Sequence, residues 1–140
     1  MITDEAKSVI AQFLVDNFTR ANVGSGGNNT SPSQSDLDVP LLSGSGASLG
    51  NSASGAKSDE NVIDFKIDIL GSNASIEGRT LREIGIFSGA ATTTPNVSAN
   101  TMLLRIPFDA IGPFSSSEEI EFFIAVEIEW QAQDTIIAGF

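Results

Sequence analysis

The sequence predicts a mainly β protein: an antiparallel β-sandwich with an N-terminal amphipathic helix and a long Gly/Ser-rich arm. Three observations carry this. Several segments between residues 61 and 131 alternate apolar and polar residues with the period of two that a half-buried strand requires. Only short turns or loops, without a helical period, lie between those segments, which favours antiparallel pairing over βαβ crossovers. The first twenty residues instead follow the 3.6-residue helical period.

The helix is expected over residues 3–20, with an apolar stripe of Ala6, Val9, Ile10, Phe13, Leu14 and Phe18. Thr3 is its expected N-cap. Asp4 and Glu5 sit at the positive end of the helix dipole and Arg20 at the negative end. Lys7, Gln12 and Asp16 occupy the opposite face, which lacks the several basic residues of a membrane-surface helix, so the stripe should pack on a sheet and Phe13 should be core. From residue 22 to about 60 the composition changes to Gly, Ser and Asn with few apolar anchors: Leu37, Val39, Leu41, Leu42 and Leu49. Ten of the 16 residues from 43 to 58 are Ser or Gly. So sparse an apolar complement does not offset the entropy of ordering the segment, and an arm pinned by neighbouring subunits is expected.

Strands follow. In "VIDFKIDIL", Ile63, Phe65, Ile67 and Ile69 share one face. "TLREIGIF" is a second strand, in which Gly85 marks a bulge or a close backbone approach. "TMLLRIPF" places Met102, Leu104, Ile106 and Phe108 together, and Pro107 puts its local pairing at an edge or an end. "EEIEFFIAVEIEW" sets Ile120 to Trp130 against Glu119, Glu121, Glu127 and Glu129, as a strand of about a dozen residues. The chain divides as one domain over 1–140: helix 1–21, arm 22–60, strands 61–131 and C-terminal tail 132–140.

Composition narrows the chemistry. The 140 residues include no Cys, His or Tyr, which removes disulfides, thiolate metal sites, the commonest general base and phenol acids. The net charge of −11 repels nucleic acid and anionic membranes, and reads as solubility or as adaptation to saline surroundings. The first twenty residues have no signal-peptide pattern, and no apolar run nears the roughly 20 residues that span a bilayer. Gly24, Gly26 and Gly27 form no phosphate loop, since a helix precedes them and no lysine follows. Glu127 and Glu129 lie two apart on one strand face, roughly 7 Å by strand rise, and read as solvated rather than as a glycosidase pair. Asp36 and Asp38 lack EF-hand spacing, and the sequons at Asn28, Asn29, Asn73 and Asn96 read as accidents of composition. Arg82 and Glu83 are expected to pair with each other's neighbours or across the sheet, and an exposed pair contributes under about 1 kcal/mol. No catalytic, cofactor or metal residue is assigned.

The order of segments carries a resemblance. Gly24 and Gly26, Pro32, Ser35-Asp36-Leu37, "EIGIF" at 83–87 and Leu103-Leu104-Arg105 follow the helix in sequence, and an alternating strand closes the chain. This resembles the head domain of tail-fibre, collar and baseplate-associated virion proteins of tailed bacteriophages and tailed archaeal viruses. Two departures stand out. "IGPFSSSEE" lacks the lysine usual before the last strand, and the chain stops ten residues after Trp130, where members often continue into a shaft or receptor-binding tip. The resemblance implies a non-enzymatic connector or attachment subunit of a tail or baseplate, made in the host cytoplasm and located in the virion. Its partners would be further copies of itself and other virion proteins, with host-surface contact open. Capsid decoration or turret protein and carbohydrate- or receptor-binding module are the alternatives. Leu41, Leu42, Leu49, Phe114 and Phe140 are the expected assembly contacts, with Phe114 as an exposed loop-tip aromatic; Phe13, Gly85 and Trp130 are the expected structural residues.

Overall fold

A computed structural model describes residues 2–44, 49–89 and 101–129. The chain is mainly β, with one helix and two antiparallel sheets. Helix α1 (Asp4–Asn17) is followed by strands β1 (Arg20–Gly24), β2 (Asn51–Ser52), β3 (Ser54–Asp59), β4 (Val62–Leu70), β5 (Leu81–Phe87), β6 (Met102–Ile111) and β7 (Glu119–Glu127). One sheet has the order β2-β1-β5-β6 and the other β3-β4-β7. Trp130, Phe140 and the 132–140 tail lie outside the described residues.

The main core collects the inward side chains of both sheets. From β4 come Ile63, Phe65, Ile67 and Ile69, none more than 1% exposed, as the alternation in "VIDFKIDIL" requires. Ala21 and Val23 of β1 and Ile84 and Ile86 of β5 meet them. β6 lies at a sheet edge, in keeping with Pro107, which cannot donate to a ladder. A register shift between Ile86 and Phe87 splits its expected stripe. Leu104 packs on the main core, Met102 on a second cluster, and Ile106 is 38% exposed. β7 is shorter than expected, nine residues, and its inward residues Ile120, Phe122, Ile124 and Val126 are only half-buried. Phe122 meets Phe108 of β6, ring centroids 5.5 Å apart.

Thr3 caps α1 by accepting the Ala6 N–H at 3.2 Å. The helix lies against β3 and β4, tied to β3 by Lys57, which donates to the Ser8 hydroxyl. Its buried stripe is rotated from the expected one. Ala11 is fully buried and Phe18 is 6% exposed, with Leu14 and Val15 packed beside them, whereas Val9 is 63% exposed. Phe13 is half-buried, packed against the main core rather than enclosed in it. The helix ends at Asn17, so Arg20 is a strand residue and not a partner of the helix dipole.

The expected arm, pinned by neighbouring subunits, instead has its described residues held largely within the chain. It begins as β1, ends as β2 and β3, and its described part between lies on its own sheet. Leu37, Leu42 and Leu49 are 5%, 7% and 4% exposed, buried within the chain.

Phe13→Ala should therefore cost about half the roughly 3–5 kcal/mol of a fully buried phenylalanine, while Ile67→Ala should cost about 2–5 kcal/mol. Urea unfolding of the two variants checks this; a Phe13→Ala loss at the full value would place the helix in the core.

Candidate functional site

Several of the residues singled out by sequence, Gly24, Gly26, Leu37, Glu83, Gly85 and Arg105, converge on the outer face of the four-stranded sheet, beneath the segment 25–44. Strand alternation explains why. In β1, Ala21 and Val23 face the main core, so Arg20, Asn22 and Gly24 face outward. In β5, Ile84 and Ile86 face the core, so Glu83, Gly85 and Phe87 face outward. The register places Arg20 opposite Phe87, Asn22 opposite Gly85 and Gly24 opposite Glu83. On the far side of β5, Gly85 pairs with Arg105 and Glu83 with Pro107. Arg105 and Glu83 are thus diagonal neighbours, within reach of a long side chain.

Arg105 is the hub. Its Nη2 lies 3.0 Å from Glu83 Oε2 and 3.1 Å from Asp38 Oδ2, and its Nη1 donates to the Asn28 carbonyl at 2.8 Å. The side chains of Arg105 and Glu83 are 2% and 0% exposed. Glu83 Oε1 accepts the Val39 N–H at 3.3 Å. Asp38 also accepts from the Asn28 N–H at 2.9 Å and the Gln34 amide at 3.0 Å. Every carboxylate oxygen in the cluster therefore faces an N–H donor, an arrangement suited to holding chain together. Arg105 Nε alone among these buried polar atoms has no hydrogen-bond partner. Asp38, weighed from sequence as a calcium ligand, is instead a partner of Arg105, and Asp36 accepts the Leu37 N–H at 2.8 Å. Glu83 does pair across the sheet, one of the two expected routes, but its carboxylate is buried rather than exposed, because the arm covers it.

The glycines follow from this geometry. A Cβ on Gly24 would stand 2.5 Å from Glu83 Oε1, and one on Gly26 would stand 2.6 Å from Oε2. Neither could be borne without pushing the chain off the carboxylate. "VGSGG" is thus a backbone passing directly over a buried charge. Gly85 is a close approach, chiefly of side chains rather than of the expected backbone: its Cβ position is 2.9 Å from both Leu37 Cδ2 and Phe87 Cε2 and 3.3 Å from the Leu104 carbonyl oxygen. It is not itself a bulge; the register shifts of β5 and β6 fall on either side of it.

Two clamps on β1 complete the seat. Asn22 accepts the Leu42 N–H at 3.1 Å and donates to the Leu42 carbonyl at 2.9 Å. Arg20 donates to the carbonyls of Leu49 (2.8 Å) and Gly50 (3.0 Å) and to the Ser52 hydroxyl (3.0 Å). Leu37, Leu49 and Phe87 form a second small core with Met102 against them. Of the expected assembly contacts, Leu42 and Leu49 are thus used within the chain, Leu41 is half-buried against the main core, and Phe140 lies outside the described residues. Phe114 is 7% exposed, packed in the core rather than at an open loop tip.

A second region was missed from sequence. On the outer face of β3-β4-β7, Ser54, Ala56, Asp64, Lys66, Phe123 and Ala125 line a shallow cavity of about 410 Å³, and Phe123 is 73% exposed. Asp68, Glu119 and Glu121 stand beside it with carboxylate oxygens within 4.8 Å of one another, and Lys66 reaches Glu121 at 3.4 Å. Phe123 was legible only as the residue that breaks the glutamate row of "EEIEFFIAVEIEW". Glu127 and Glu129 are exposed. Glu118 is held below its ordinary value by the Ser115 backbone N–H at 2.8 Å and by the Ser115 side chain, which ties the turn before β7.

No protein-family model matches the chain, and no curated protein matches it.

Removing one partner of a buried pair leaves an uncompensated charge. Arg105→Met should therefore cost about 3–5 kcal/mol. Combining it with Glu83→Leu should recover part of that loss, with a coupling of about 2–3 kcal/mol in a double-mutant cycle. Additive losses in chemical unfolding would show that the two residues act independently.

Proposed function

We propose that the chain is a non-enzymatic structural protein of a tailed-virus particle, a connector or attachment subunit of the tail or baseplate that assembles with copies of itself and with other virion proteins. The two sheets are read as a β-sandwich, with α1 on its β3 side and the Gly/Ser-rich segment strapped across its four-stranded face.

One observation supports this reading above the rest. The residues that carry the sequence resemblance are spread from Gly24 to Arg105, yet Gly24, Gly26, Leu37, Glu83, Gly85, Phe87 and Arg105 meet at one place. Each has a packing or ion-pairing role there: Arg105 binds Glu83, Gly24 and Gly26 clear the carboxylate, and Leu37 sits over Gly85 against Phe87. A motif set of this kind serves an architecture rather than a reaction. It suits a particle subunit, whose work is to keep a shape and present surfaces to its neighbours.

The test is location. An antibody raised against the recombinant chain should label purified tailed particles from the source culture at the tail or baseplate, and the chain should be found by mass spectrometry in those particles. Labelling at the capsid surface would make it a decoration or turret protein. Absence from particles would overturn the reading.

A further inference from the structure

The outer edge of β7 offers a second surface, one the buried latch does not use. Among the described residues β7 pairs only with β4. Just past the strand, Ile128 donates its backbone N–H to the Asn61 carbonyl, and just before it the Glu118 carbonyl accepts from the Gly71 N–H. The register between these points has no shift. Even-numbered residues of β7 therefore turn their backbone groups toward β4. Odd-numbered ones, Glu119 through Glu127, turn theirs to the open edge. Nine residues of edge left unpaired among the described residues are long for a strand.

The strand is also nearly self-complementary. Phe123 is its midpoint and its most exposed large apolar residue. Antiparallel pairing of two copies about Phe123 matches the whole strand and satisfies the odd-numbered backbone groups of both. On the outer face Phe123 then meets Phe123 of the other copy, and Glu121 meets Ala125. On the inner face Ile120 meets Val126 and Phe122 meets Ile124, the residues left half-buried in one copy. Centring the pair one residue to either side shortens the overlap and takes Phe123 off its own symmetry mate. The unfavourable contact is Glu119 against Glu127, at both ends, added to a net charge of −11 per copy.

We infer that β7 is a self-association edge, on which a second copy of this chain pairs antiparallel about Phe123 to continue the three-stranded sheet across a two-fold axis. The inference deepens the proposed assembly role by naming the surface, and rests on that reading only for the expectation that copies associate. Because the cost is like-charge repulsion, association strengthens with salt as the Debye length falls from ~10 Å at 0.1 M to ~3 Å at 1 M.

Sedimentation of the full chain should show a monomer–dimer equilibrium that shifts at least several-fold toward dimer over that salt range. The chain has no cysteine, so single thiols report the register cleanly. Phe123→Cys should cross-link to twice the 14.6 kDa chain mass on mild oxidation, and Asp64→Cys, one strand inward on the same face, should not. Glu119→Cys and Glu127→Cys chains should cross-link when mixed and not alone. Ala125→Pro removes an outward N–H and should be monomeric with an unchanged thermal midpoint. A chain that is monomeric at all salt concentrations overturns the inference. A dimer in which Phe123→Cys stays reduced overturns this surface while leaving self-assembly standing.

Discussion

The ion pair between Arg105 and Glu83 is the constraint around which the four-stranded sheet is arranged. It is buried on the outer face of that sheet, where an uncovered pair would meet water and contribute under about 1 kcal/mol. What buries it is the segment from Gly24 to Val39, which supplies Asp38, the Asn28 carbonyl and the Val39 N–H to the same two side chains. The dependence runs both ways. Without the segment the charges are solvated, and without the charges it keeps Leu37 on Phe87 and the backbone bond from the Ser25 N–H to the Val39 carbonyl, with Leu41, Leu42 and Leu49 held farther along. A chain stretch too polar to fold by apolar burial is ordered by desolvated, directional bonds instead.

How much of this was legible follows from the range of each interaction. β4 and β7 announce themselves because their alternation is local and one face is wholly apolar, and Pro107 marks an edge because the missing N–H is a property of one residue. β1 was hidden. In "RANVG" the outward positions are Arg20, Asn22 and Gly24, chosen for what the arm needs rather than for strand propensity, so the segment reads as loop. The rotated helix face has a similar cause: Ala11 is buried because it is small, and a stripe drawn through the largest residues passes beside it.

The candidate site was legible only in fragments. The glycines, Leu37, "EIGIF" and Arg105 could each be picked out, but the reason they belong together is a diagonal contact between neighbouring strands, and the arm's contacts with it span 44 to 77 residues of sequence. A glutamate and an arginine each set within an apolar strand were the available signal; weighing any pair at Glu83 as an exposed one missed its burial. The two outer faces of the molecule then differ in kind. One is closed by the chain's own segment and spends its charges internally. The other carries exposed carboxylates around a bare Phe123 and ends in a strand edge that no described residue pairs with.

Native-state hydrogen exchange on the monomeric chain tests the central claim, that the Gly/Ser-rich segment is held by its own sheet. The informative amides are Ser25, Val39, Leu41 and Leu42, which donate to the Val39 carbonyl, Glu83, the Val23 carbonyl and Asn22. They should be protected in the isolated chain, and Arg105→Met should release Ser25 and Val39 while the β4 amides stay protected. Exchange of all four at unfolded-chain rates in the wild-type monomer would contradict the account and return the segment to the status of a free arm.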